Sequence, residues 1–512
     1  MTDSTAPLTE PAALEDEFER ERLANVRPPG WIDPDPKPRY HLVVLGGGTA
    51  GLVTASIAAG LGATVALVER HRMGGDCLNV GCVPSKAIIA GARSWQEARE
   101  SRDRFAGPPA TGSGDVDAVL TRMRRIRARI SRIDGAPRFR DLGIDVFLGD
   151  GRFTAPDRIE VAGRALRFRR AVIATGSRAA VPDIPGLGDT GYLTNESFFE
   201  QPTLPARLLV IGGGPIGCEL AQACARLGTR VTLVGREARL LPKEGPEAAD
   251  IVERALRRDG VRVIHQARVT RAMRQGEDSV LSVEHGGAIE DIAGNDILVA
   301  TGRAPTVSGL GLEEAGVRAS PRGVEVDDRL RTSNSRVFAA GDVCSRYRFT
   351  HAADAQARLV VANALFRGVG GGRVSRLVMS WVTYTSPEVA HVGLTAAELH
   401  QRGTATDAIT IPMHDVDRAV LDGEEDGFFR VLLARGSDRI LGATLVAPHA
   451  GEMIGEIALA MTAGLGLGKV GATIHPYPTQ AEVFRKAADA WRRGRLTPAA
   501  RRGLRTFFRI FD

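Results

Sequence analysis

Lysine, cysteine and aromatic residues are scarce in this 512-residue chain, and long apolar runs are missing. Only five lysines stand beside 62 arginines, and the net charge is +6. Aromatic residues make up 5% and the arginines are spread along the chain, so we expect a solvated basic surface and no nucleic-acid partner. No uncharged apolar run reaches 18 residues, which predicts no membrane span. The polar, acidic start lacks the pattern of a secretory signal, which predicts a cytoplasmic protein.

The five cysteines are too few for a disulfide-stapled secreted scaffold of this size. Paired CxxC motifs and an HExxH motif are both absent, so the sequence predicts no metal site. With 43% hydrophobic and 25% charged residues the chain has a globular composition. At about 150 residues per domain its length suggests roughly three domains.

One segment of the chain is duplicated. Residues 41–70 (HLVVLGGGTAGLVTASIAAGLGATVALVER) match residues 207–236 (RLLVIGGGPIGCELAQACARLGTRVTLVGR) at a constant offset of 166. Each copy is an apolar strand, a GxGxxG loop, a helix and a second apolar strand. This pattern is typical of a dinucleotide-binding Rossmann unit, in which a pyrophosphate lies on the helix N-terminus. The predicted phosphate-binding glycines are Gly46, Gly48 and Gly51 in the first copy, and Gly212, Gly214 and Gly217 in the second.

The two copies differ where the second strand ends. The first copy has Glu69, whose carboxylate suits a ribose 2′-hydroxyl, so this site is expected to bind FAD or NAD. The second copy has Gly235 at that position, followed by Arg236 and then Arg239. Guanidinium groups in place of an acid favour the 2′-phosphate of NADPH. The alternative is that both arginines are surface residues and that NADH binds as well.

Residues 74–87 read GGDCLNVGCVPSKA and carry two cysteines, Cys77 and Cys82, in a turn that leads into a helix-like stretch. A turn of this kind can bring two thiols within bridging distance, although the sequence alone does not prove it. Cys82 stands at the start of the predicted helix, where the helix N-terminus lowers a thiol pKa. In a reducing compartment, a disulfide is more often catalytic than structural.

The C-x4-C motif followed by PSK resembles that of the class I pyridine nucleotide-disulfide oxidoreductases, and the resemblance covers about residues 40–490. Further similar segments are ATG at 174–176 and 300–302, TSNSRVFAAGDV at 332–343, and AGEMIGEIALAM at 450–461. The resemblance implies an α/β fold with two Rossmann-like domains, for FAD and NAD(P), and a C-terminal α+β dimerisation domain. It also implies a homodimer.

The resemblance also implies residue roles. Cys82 is the thiol beside the flavin, Cys77 reacts with the substrate, and the two form a redox-active disulfide. Lys86 lies by the flavin edge and pairs with Glu219, and Asp342 holds the ribityl–phosphate region of FAD. The remaining implied cofactor contacts are Thr175, Gly176 and Gly341 for FAD, with Gly302, Glu219 and Arg236 on the nicotinamide side.

The segment HPYPTQAE at 475–482 departs from the pattern of lipoamide dehydrogenase and glutathione reductase. In those enzymes a histidine backed by a glutamate reaches the disulfide of the other subunit. Here Glu482 is present, but Tyr477 takes the histidine position. A tyrosine pKa near 10 is too high for a base at neutral pH. His475 lies two residues earlier, either as a substitute base or as a structural residue.

The tyrosine resembles mercuric-reductase-like members of the family, and Tyr192 resembles an active-site tyrosine of the same group. The chain has no N-terminal CxxC module and no cysteine after Cys344, so transfer of Hg(II) to the disulfide should be poor. A small disulfide or a quinone is then an alternative acceptor. We expect Tyr477 and Glu482 of the other subunit to complete the active site.

The predicted domain order places an N-terminal extension at 1–39, as an arm on the body or partly disordered. The FAD domain is split into 40–185 and 306–375, and the NAD(P) domain is 186–305. Residues 376–490 form the dimerisation domain, an antiparallel sheet with helices. The basic amphipathic stretch after residue 116 is expected to be a surface helix.

The last predicted segment, the tail at 491–512, contains seven arginines together with several phenylalanines. We expect it to pack on the dimer, with contact to an anionic membrane as the alternative.

The leading functional prediction is an NADPH-dependent FAD oxidoreductase that passes electrons through the Cys77–Cys82 disulfide to a disulfide or a soft metal. The alternatives are dihydrolipoyl dehydrogenase activity, direct flavin-to-quinone transfer and a non-catalytic redox sensor.

Overall fold

The computed structural model describes residues 16–112, 114–366, 369 and 371–511. The first fifteen residues of the predicted N-terminal extension therefore lie outside the described residues. Up to residue 198 the elements are α1 (Glu17–Val26), β1 (Tyr40–Leu45), α2 (Thr49–Gly60), β2 (Val65–Glu69), α3 (Gly75–Val80), α4 (Cys82–Phe105), α5 (Val116–Asp134), α6 (Ala136–Asp141), β3 (Asp145–Leu148), β4 (Gly151–Ala155), β5 (Arg158–Val161), β6 (Arg164–Ile173), β7 (Ser177–Ala179), α7 (Leu187–Thr190) and α8 (Asn195–Phe198).

The elements that follow, up to residue 365, are β8 (Arg207–Ile211), α9 (Pro215–Arg226), β9 (Arg230–Val234), α10 (Pro246–Arg258), β10 (Arg262–Ile264), β11 (Arg268–Gln275), β12 (Asp278–His285), β13 (Ala288–Gly294), β14 (Asp296–Val299), β15 (Arg303–Pro305), β16 (Ala319–Ser320), β17 (Gly323–Val324), β18 (Val337–Ala339) and α11 (Thr350–Leu365). The remaining elements are β19 (Ser380–Thr383), β20 (Glu388–Gly393), α12 (Ala396–Gln401), β21 (Thr406–Pro412), α13 (Asp417–Leu421), β22 (Phe428–Ala434), β23 (Ile440–Ala447), α14 (Ala450–Thr462), α15 (Leu467–Val470), α16 (Glu482–Gly494) and α17 (Pro498–Phe511). Two short 3₁₀ turns lie at Val374–Arg376 and Met413–Asp415.

The chain forms two compact units. Of the described residues, the first contains those within 16–99, 111–236 and 266–377, and the second contains those within 100–110, 237–265 and 378–511. The mixed α/β architecture with Rossmann-like sheets and a separate antiparallel C-terminal sheet confirms the predicted fold class.

The largest sheet of the first unit has parallel strands in the order β3-β2-β1-β6-β18, extended by the antiparallel strands β5 and β4. Side chains alternate between its two faces. Leu42 and Val44 of β1 enter the core on the α2 side, and Val43 and Leu45 enter the core on the opposite side. Because both faces are covered, the strand is apolar almost throughout, as is usual for parallel sheets.

The second nucleotide-binding copy repeats the geometry of the first. Strand β8 pairs in parallel with β9 on one side and with β14 on the other. Helix α9 (Pro215–Arg226) begins and ends 166 residues after α2 (Thr49–Gly60), as the sequence offset requires. An antiparallel sheet, β11-β12-β13, completes this part of the unit.

Helix α5 is amphipathic and keeps an exposed face at Arg122, Arg125 and Arg129, as a surface helix should, but part of it is covered by another helix. Helix α1 of the N-terminal extension packs along α5, and Arg127 of α5 is completely buried. Asp16 caps α1 by accepting a hydrogen bond from the Phe18 amide, and its carboxylate also pairs with Arg124. This contact buries arginines of α5, and the carboxylates of Asp16 and Glu19 give those arginines partners of opposite charge.

The second unit contains the five-stranded antiparallel sheet β19-β20-β23-β22-β21. Helices α14 and α16 contribute to its core with Ile454, Ile457, Val483 and Phe484. Phe484 meets Phe429 edge to face, with ring centroids 4.8 Å apart. In the part of the chain that the structure describes, no helix is both long and apolar enough to cross a membrane.

Candidate functional site

The first glycine loop connects β1 to α2 in a conformation that only glycine fits. Gly46 has φ +113°, and a Cβ atom there would lie 2.3 Å from the Ala174 carbonyl oxygen. A Cβ atom on Gly51 would lie 1.8 Å from the Gly46 carbonyl oxygen, so the helix approaches the loop closely because this residue has no side chain. Gly48 caps α2 with no side-chain hydrogen bond, which leaves the helix N-terminus available to an anion.

Glu69 closes the first site at the end of β2. Its side chain is buried and accepts hydrogen bonds from the amides of Gly47 and His71, both at 2.6 Å. Burial raises the pKa of Glu69 above its ordinary value. The two hydrogen bonds fix the carboxyl group of Glu69 beside the glycine loop.

The second glycine loop, between β8 and α9, has the same form. Gly212 has φ +120°, and a Cβ atom there would lie 2.4 Å from the Ala300 carbonyl oxygen. A Cβ atom on Gly217 would lie 2.0 Å from the Gly212 carbonyl oxygen, whereas Gly214 faces open space. Arg236 follows β9 and is exposed.

The predicted turn residues lie at strand ends of the same unit. Gly176, Gly302 and Gly341 all have positive φ. Thr175 donates its hydroxyl to the Thr306 carbonyl at 2.8 Å, and the Gly341 amide donates to Gln356 Oε1 at 2.8 Å. These contacts fasten the end of β6 to the segment after β15, and the end of β18 to α11.

Asp342 follows Gly341 and is largely buried. It accepts a hydrogen bond from the Ser177 hydroxyl at 2.6 Å, and burial raises its pKa. Arg303 Nε lies 3.6 Å from the same carboxylate.

Cys77 lies in α3, and Cys82 is the first residue of α4. Both are free thiols, joined by a hydrogen bond between them. The Cys77 hydrogen bond, with help from Thr350 and Lys86, lowers the pKa of Cys82 to about 6. The same hydrogen bond and burial raise the pKa of Cys77. At neutral pH the arrangement holds a thiolate on Cys82 and a proton on Cys77.

Thr350 and Lys86 surround the Cys82 sulfur. Thr350 Oγ1 lies 3.2 Å from Cys82 Sγ, at the start of α11. Lys86, one helical turn after Cys82, donates to Glu219 Oε2 at 2.7 Å. The glutamate is buried and the lysine is partly exposed. The structure thus brings together Cys77, Cys82, Lys86 and Glu219.

Arg303 is a site residue that the sequence reasoning missed. Its guanidinium donates to Ser177 Oγ at 2.7 Å and pairs with Asp76, the residue before Cys77. It therefore connects the cysteine helix with the turn that holds Asp342. The sequence gives one clue to this residue, since Arg303 directly follows the second ATG turn. The clue does not indicate its partner, because Asp76 is 227 positions away.

Asn79, between the two cysteines, is a second residue that the sequence reasoning missed. Its side chain donates to the carbonyls of Met73 and Gly75 at 3.0 and 2.9 Å. Arg22 of α1 donates to Asn79 Oδ1 at 2.6 Å, and Arg127 of α5 donates to the Asn79 carbonyl at 2.9 Å. The turn between the cysteines is thus held from two other helices.

Tyr192 precedes the short bridge from Leu193 to β14 and is partly exposed. Three residues later, Asn195 donates to the Val80 carbonyl at 3.1 Å, at the end of the cysteine helix α3. The segment that carries Tyr192 is thus fastened to the cysteine helix.

Tyr477 and Glu482 lie in the second unit and do not contact each other by a hydrogen bond. Tyr477 is 71% exposed and donates to Asp417 Oδ2 at 3.0 Å, a contact that raises the tyrosine pKa. Glu482 is buried and pairs with Arg485, while its Oε2 has no hydrogen-bond partner among the described residues. His475 is paired with Glu456 at 3.0 Å, which fits the structural interpretation of this histidine.

Among the described residues, no cluster of three or more His, Cys, Asp or Glu side chains is arranged to hold a metal ion.

Two family models match nearly the whole chain. The first, pyridine nucleotide-disulphide oxidoreductase, covers residues 40–357, and the second, the dimerisation domain of the same family, covers residues 379–488.

Individual relatives agree with these matches. A mercuric reductase of Streptomyces lividans is 36% identical over 464 residues, which is 88% of this chain and 96% of the relative. A dihydrolipoyl dehydrogenase of Bacillus subtilis is 31% identical over 469 residues, 88% of this chain and 98% of the relative. Among solved structures, the HOCl-induced flavoprotein disulfide reductase RclA from Escherichia coli matches with a TM-score of 0.78 and 27% identity, covering 88% of this chain and 99% of that one.

Proposed function

Because the chain belongs to the pyridine nucleotide-disulphide oxidoreductase family, whose members use FAD and NAD(P)H, we propose that Cys77 and Cys82 carry electrons from NADPH to a disulfide or a soft metal ion. The chain is an oxidoreductase with a dimerisation domain, and a homodimer follows from that domain. The observation that carries the proposal is the position of the two free thiols beside the Lys86–Glu219 ion pair, with Thr350 Oγ1 3.2 Å from the Cys82 sulfur and the pKa of Cys82 lowered to about 6.

The first glycine loop supports FAD binding. A Cβ atom on Gly48 would meet only the Gly75 Cα atom, at 3.7 Å, so the loop leaves a groove over an uncapped helix N-terminus. The residues proposed to hold FAD are Gly46, Gly48, Gly51, Glu69, Thr175, Gly176, Gly341 and Asp342. When bound there, FAD supplies the two-electron chemistry that links the nicotinamide to the cysteine pair.

The second glycine loop is the proposed nicotinamide site, formed by Gly212, Gly214, Gly217, Glu219, Arg236 and Gly302. Gly235 directly follows β9, at the position where the first copy has Glu69, so no carboxylate at that position repels a 2′-phosphate. Arg236 supplies a guanidinium to that phosphate. We therefore infer that NADPH is preferred over NADH.

The cysteine pair carries the electrons onward. Reduction of the Cys77–Cys82 disulfide takes two electrons and one proton, which stays on Cys77 while Cys82 remains a thiolate. With a substrate disulfide, the Cys77 sulfur bonds to one substrate sulfur, and the other leaves and takes the Cys77 proton. The Cys82 thiolate then attacks Cys77, which releases the second substrate thiolate and re-forms the disulfide.

The surrounding residues hold charge during these steps. The Lys86 ammonium favours the Cys82 thiolate, and Glu219 keeps that ammonium in place. Thr350 gives a further hydrogen bond to the sulfur. A thiolate held in this way is the form that attacks the mixed disulfide on Cys77 in the second step and that binds soft metals.

Tyr477 and Glu482 of the other subunit are proposed to complete the site, and Tyr192 is proposed to line it. The exposed position of Tyr477 and the unpartnered Oε2 of Glu482 support this assignment. The phenol of Tyr477 is protonated at neutral pH, as an ordinary tyrosine is, and Asp417 raises its pKa further, so it is suited to donate a proton and not to accept one.

The test is steady-state NADPH and NADH oxidation with small disulfides, Hg(II), Cu(II), lipoamide and quinones, using wild type, Cys77→Ala and Cys82→Ser. We expect turnover with a disulfide or a metal ion that both substitutions reduce at least about 100-fold, since each removes one half of the dithiol. Turnover with quinones alone, unchanged in Cys77→Ala, would replace this proposal with direct flavin-to-quinone transfer.

A further inference from the structure

Helix α17 (Pro498–Phe511) is the most strongly amphipathic element of the second unit, and none of its residues is buried. At 100° per residue its apolar side chains share one face and its arginines share the other. The apolar face consists of Leu504, Phe507, Phe508, Ile510 and Phe511, each between 44% and 73% exposed. The polar face consists of Arg501, Arg502, Arg505 and Arg509.

The segment that carries this helix is strongly basic. Residues 490–511 contain seven arginines and no aspartate or glutamate. A second copy of α17 would cover the apolar face but would leave the arginines on the outside without an anionic partner. An anionic lipid surface satisfies both faces at once, because acyl chains take the phenylalanines and lipid phosphates pair with the guanidiniums.

The helix is already shaped for such a surface. Thr497 caps it by accepting a hydrogen bond from the Ala500 amide at 3.1 Å, and Pro498 fills the first helical position. Phe507 and Phe511 are 4.5 Å apart between ring centroids and form one apolar ridge. A helix of 14 residues is too short to span a bilayer, so it would lie in the interface.

We propose that α17 binds the surface of membranes rich in anionic lipid. Its phenylalanine face enters the boundary between headgroups and acyl chains, and its arginines contact lipid phosphates. The attachment is peripheral and weakens as salt is added, because the charge contribution is screened.

The test is flotation of the full-length protein with two kinds of vesicle. One kind is phosphatidylcholine alone, and the other contains about 40% phosphatidylglycerol, which makes the surface strongly anionic. We expect flotation only with the anionic vesicles. Phe508→Ser/Phe511→Ser and Arg501→Gln/Arg505→Gln should each reduce it at least about 10-fold. The exposed residues Ile289 and Arg322 lie in the other unit, so Ile289→Ser and Arg322→Gln serve as controls that keep wild-type flotation.

Equal binding of the helix variants and wild type would overturn the proposal, as would equal binding to neutral vesicles. If the helix variants instead convert a dimer to a monomer in light scattering, α17 is a subunit contact and the proposal is wrong. NADPH oxidation is measured on every variant to show that the fold is intact. The result does not depend on which electron acceptor the enzyme uses.

Helix α1 takes part in a buried cluster of charged side chains, which supports a second inference. Glu19, Arg22 and Arg127 are all buried, and Glu19 accepts from Arg22 and from Arg127, both at 2.5 Å. Although burial opposes it, the charges of Arg127 and Arg22 lower the pKa of Glu19. Glu200 joins the same cluster, 3.3 Å from Arg22 and 3.2 Å from Arg127.

This buried cluster ends on the turn between the two cysteines. Arg22 donates to Asn79 Oδ1, and Met73, just before the cysteine helix, donates its amide to the Val26 carbonyl of α1 at 3.0 Å. Helix α1 precedes residue 40, where the family match begins. The contacts from α1 to the cysteine turn therefore come from a segment outside the matched region.

The geometry points to Arg22 as a positioning residue for Cys77 and Cys82, acting through Asn79. Without it, the Asn79 side chain keeps its bonds to the Met73 and Gly75 carbonyls but loses the donor to its Oδ1, so the turn between the two cysteines is held less firmly and the relative position of the two thiols changes. The pKa of the Cys82 thiol then moves back toward that of an ordinary cysteine.

The test is the pH dependence of iodoacetamide alkylation of Cys82 in the reduced protein. Arg22→Gln should raise the midpoint by about half a pH unit or more. Arg20→Gln, on the exposed face of the same helix, should leave the midpoint unchanged. A lower melting temperature in Arg22→Gln with an unmoved midpoint would show a purely structural role and end this inference. The alkylation readout needs no electron acceptor, so it is independent of the proposed activity.

Discussion

Lys86 donates a hydrogen bond to Glu219 across 2.7 Å, joining the helix that begins at Cys82 to the helix that follows the second glycine loop. The ammonium lies one turn from Cys82 and favours its thiolate. The glutamate is buried, and the lysine gives it a partner of opposite charge. One ion pair therefore connects the redox chemistry with the arrangement of the nucleotide-binding units.

Removal of the lysine should change both stability and reactivity. Lys86→Met leaves Glu219 without its cation and is expected to cost about 1–3 kcal/mol of unfolding free energy. It should also raise the pKa of Cys82. Denaturant unfolding and alkylation against pH measure the two effects, with Lys469→Met, at an exposed position, as the control. An unchanged Cys82 pKa in Lys86→Met would remove the lysine from the account of the thiolate.

The pH dependence of the thiol pair follows from its two pKa shifts. The pKa of Cys82 is lowered to about 6 and that of Cys77 is raised, so in the reduced protein Cys82 should be alkylated first. Its rate should rise through about pH 6 and be nearly constant by pH 8, because only the thiolate reacts. Mass spectrometry of quenched samples identifies the labelled peptide. Faster labelling of Cys77 at pH 7 would reverse the assignment of the two thiols.

Substitutions in the two glycine loops should impair flavin binding and NADPH binding separately. Gly51→Ala places a Cβ atom against the Gly46 carbonyl and should yield protein that lacks flavin. Gly217→Ala does the same at Gly212 and should keep flavin while raising the KM for NADPH at least about 10-fold. Gly60→Ala, at the end of α2 with no atom within 4 Å, is the matched control. Flavin absorbance and NADPH kinetics separate the outcomes. If Gly217→Ala alone lost flavin, the assignment of FAD to the first loop and NADPH to the second would be reversed.

Arg303 should matter more than arginines in exposed pairs. Arg303→Met leaves Asp76 and Asp342 without their shared cation, which we expect to cost about 2 kcal/mol or more and to weaken flavin retention. Arg318→Met breaks an exposed pair with Glu325 and should stay within about 0.5 kcal/mol of wild type. Thermal unfolding with and without added FAD distinguishes them. Equal melting temperatures for the two variants would refute the bridging role.

The sequence predicts the local parts of the site because local geometry requires particular residues. The backbone at Gly46 and Gly51 leaves no room for a Cβ atom, so glycine spacing alone locates the loop. The start of α4 at Cys82 follows in the same way from the motif. The Lys86–Glu219 pair is different, since only the family resemblance indicated it.

The sequence does not predict contacts between distant side chains. Arg22 and Asn79 are 57 positions apart, and no periodic pattern connects them. Arg127 belongs to a helix whose arginines indicate a solvated face, yet it is completely buried because α1 covers it. Such contacts depend on how whole helices pack, which a short sequence pattern does not contain.

Stepwise anaerobic titration with NADPH, followed by alkylation and peptide mapping, tests the electron path through the two sulfurs most directly. In the oxidised enzyme Cys77 and Cys82 should resist labelling, and the first equivalent of NADPH should make both reactive while the flavin stays mostly oxidised. The buried Cys218 and Cys224 should remain unlabelled throughout. If the first equivalent bleaches the flavin and leaves both cysteines as unreactive as before, electrons do not pass through this pair.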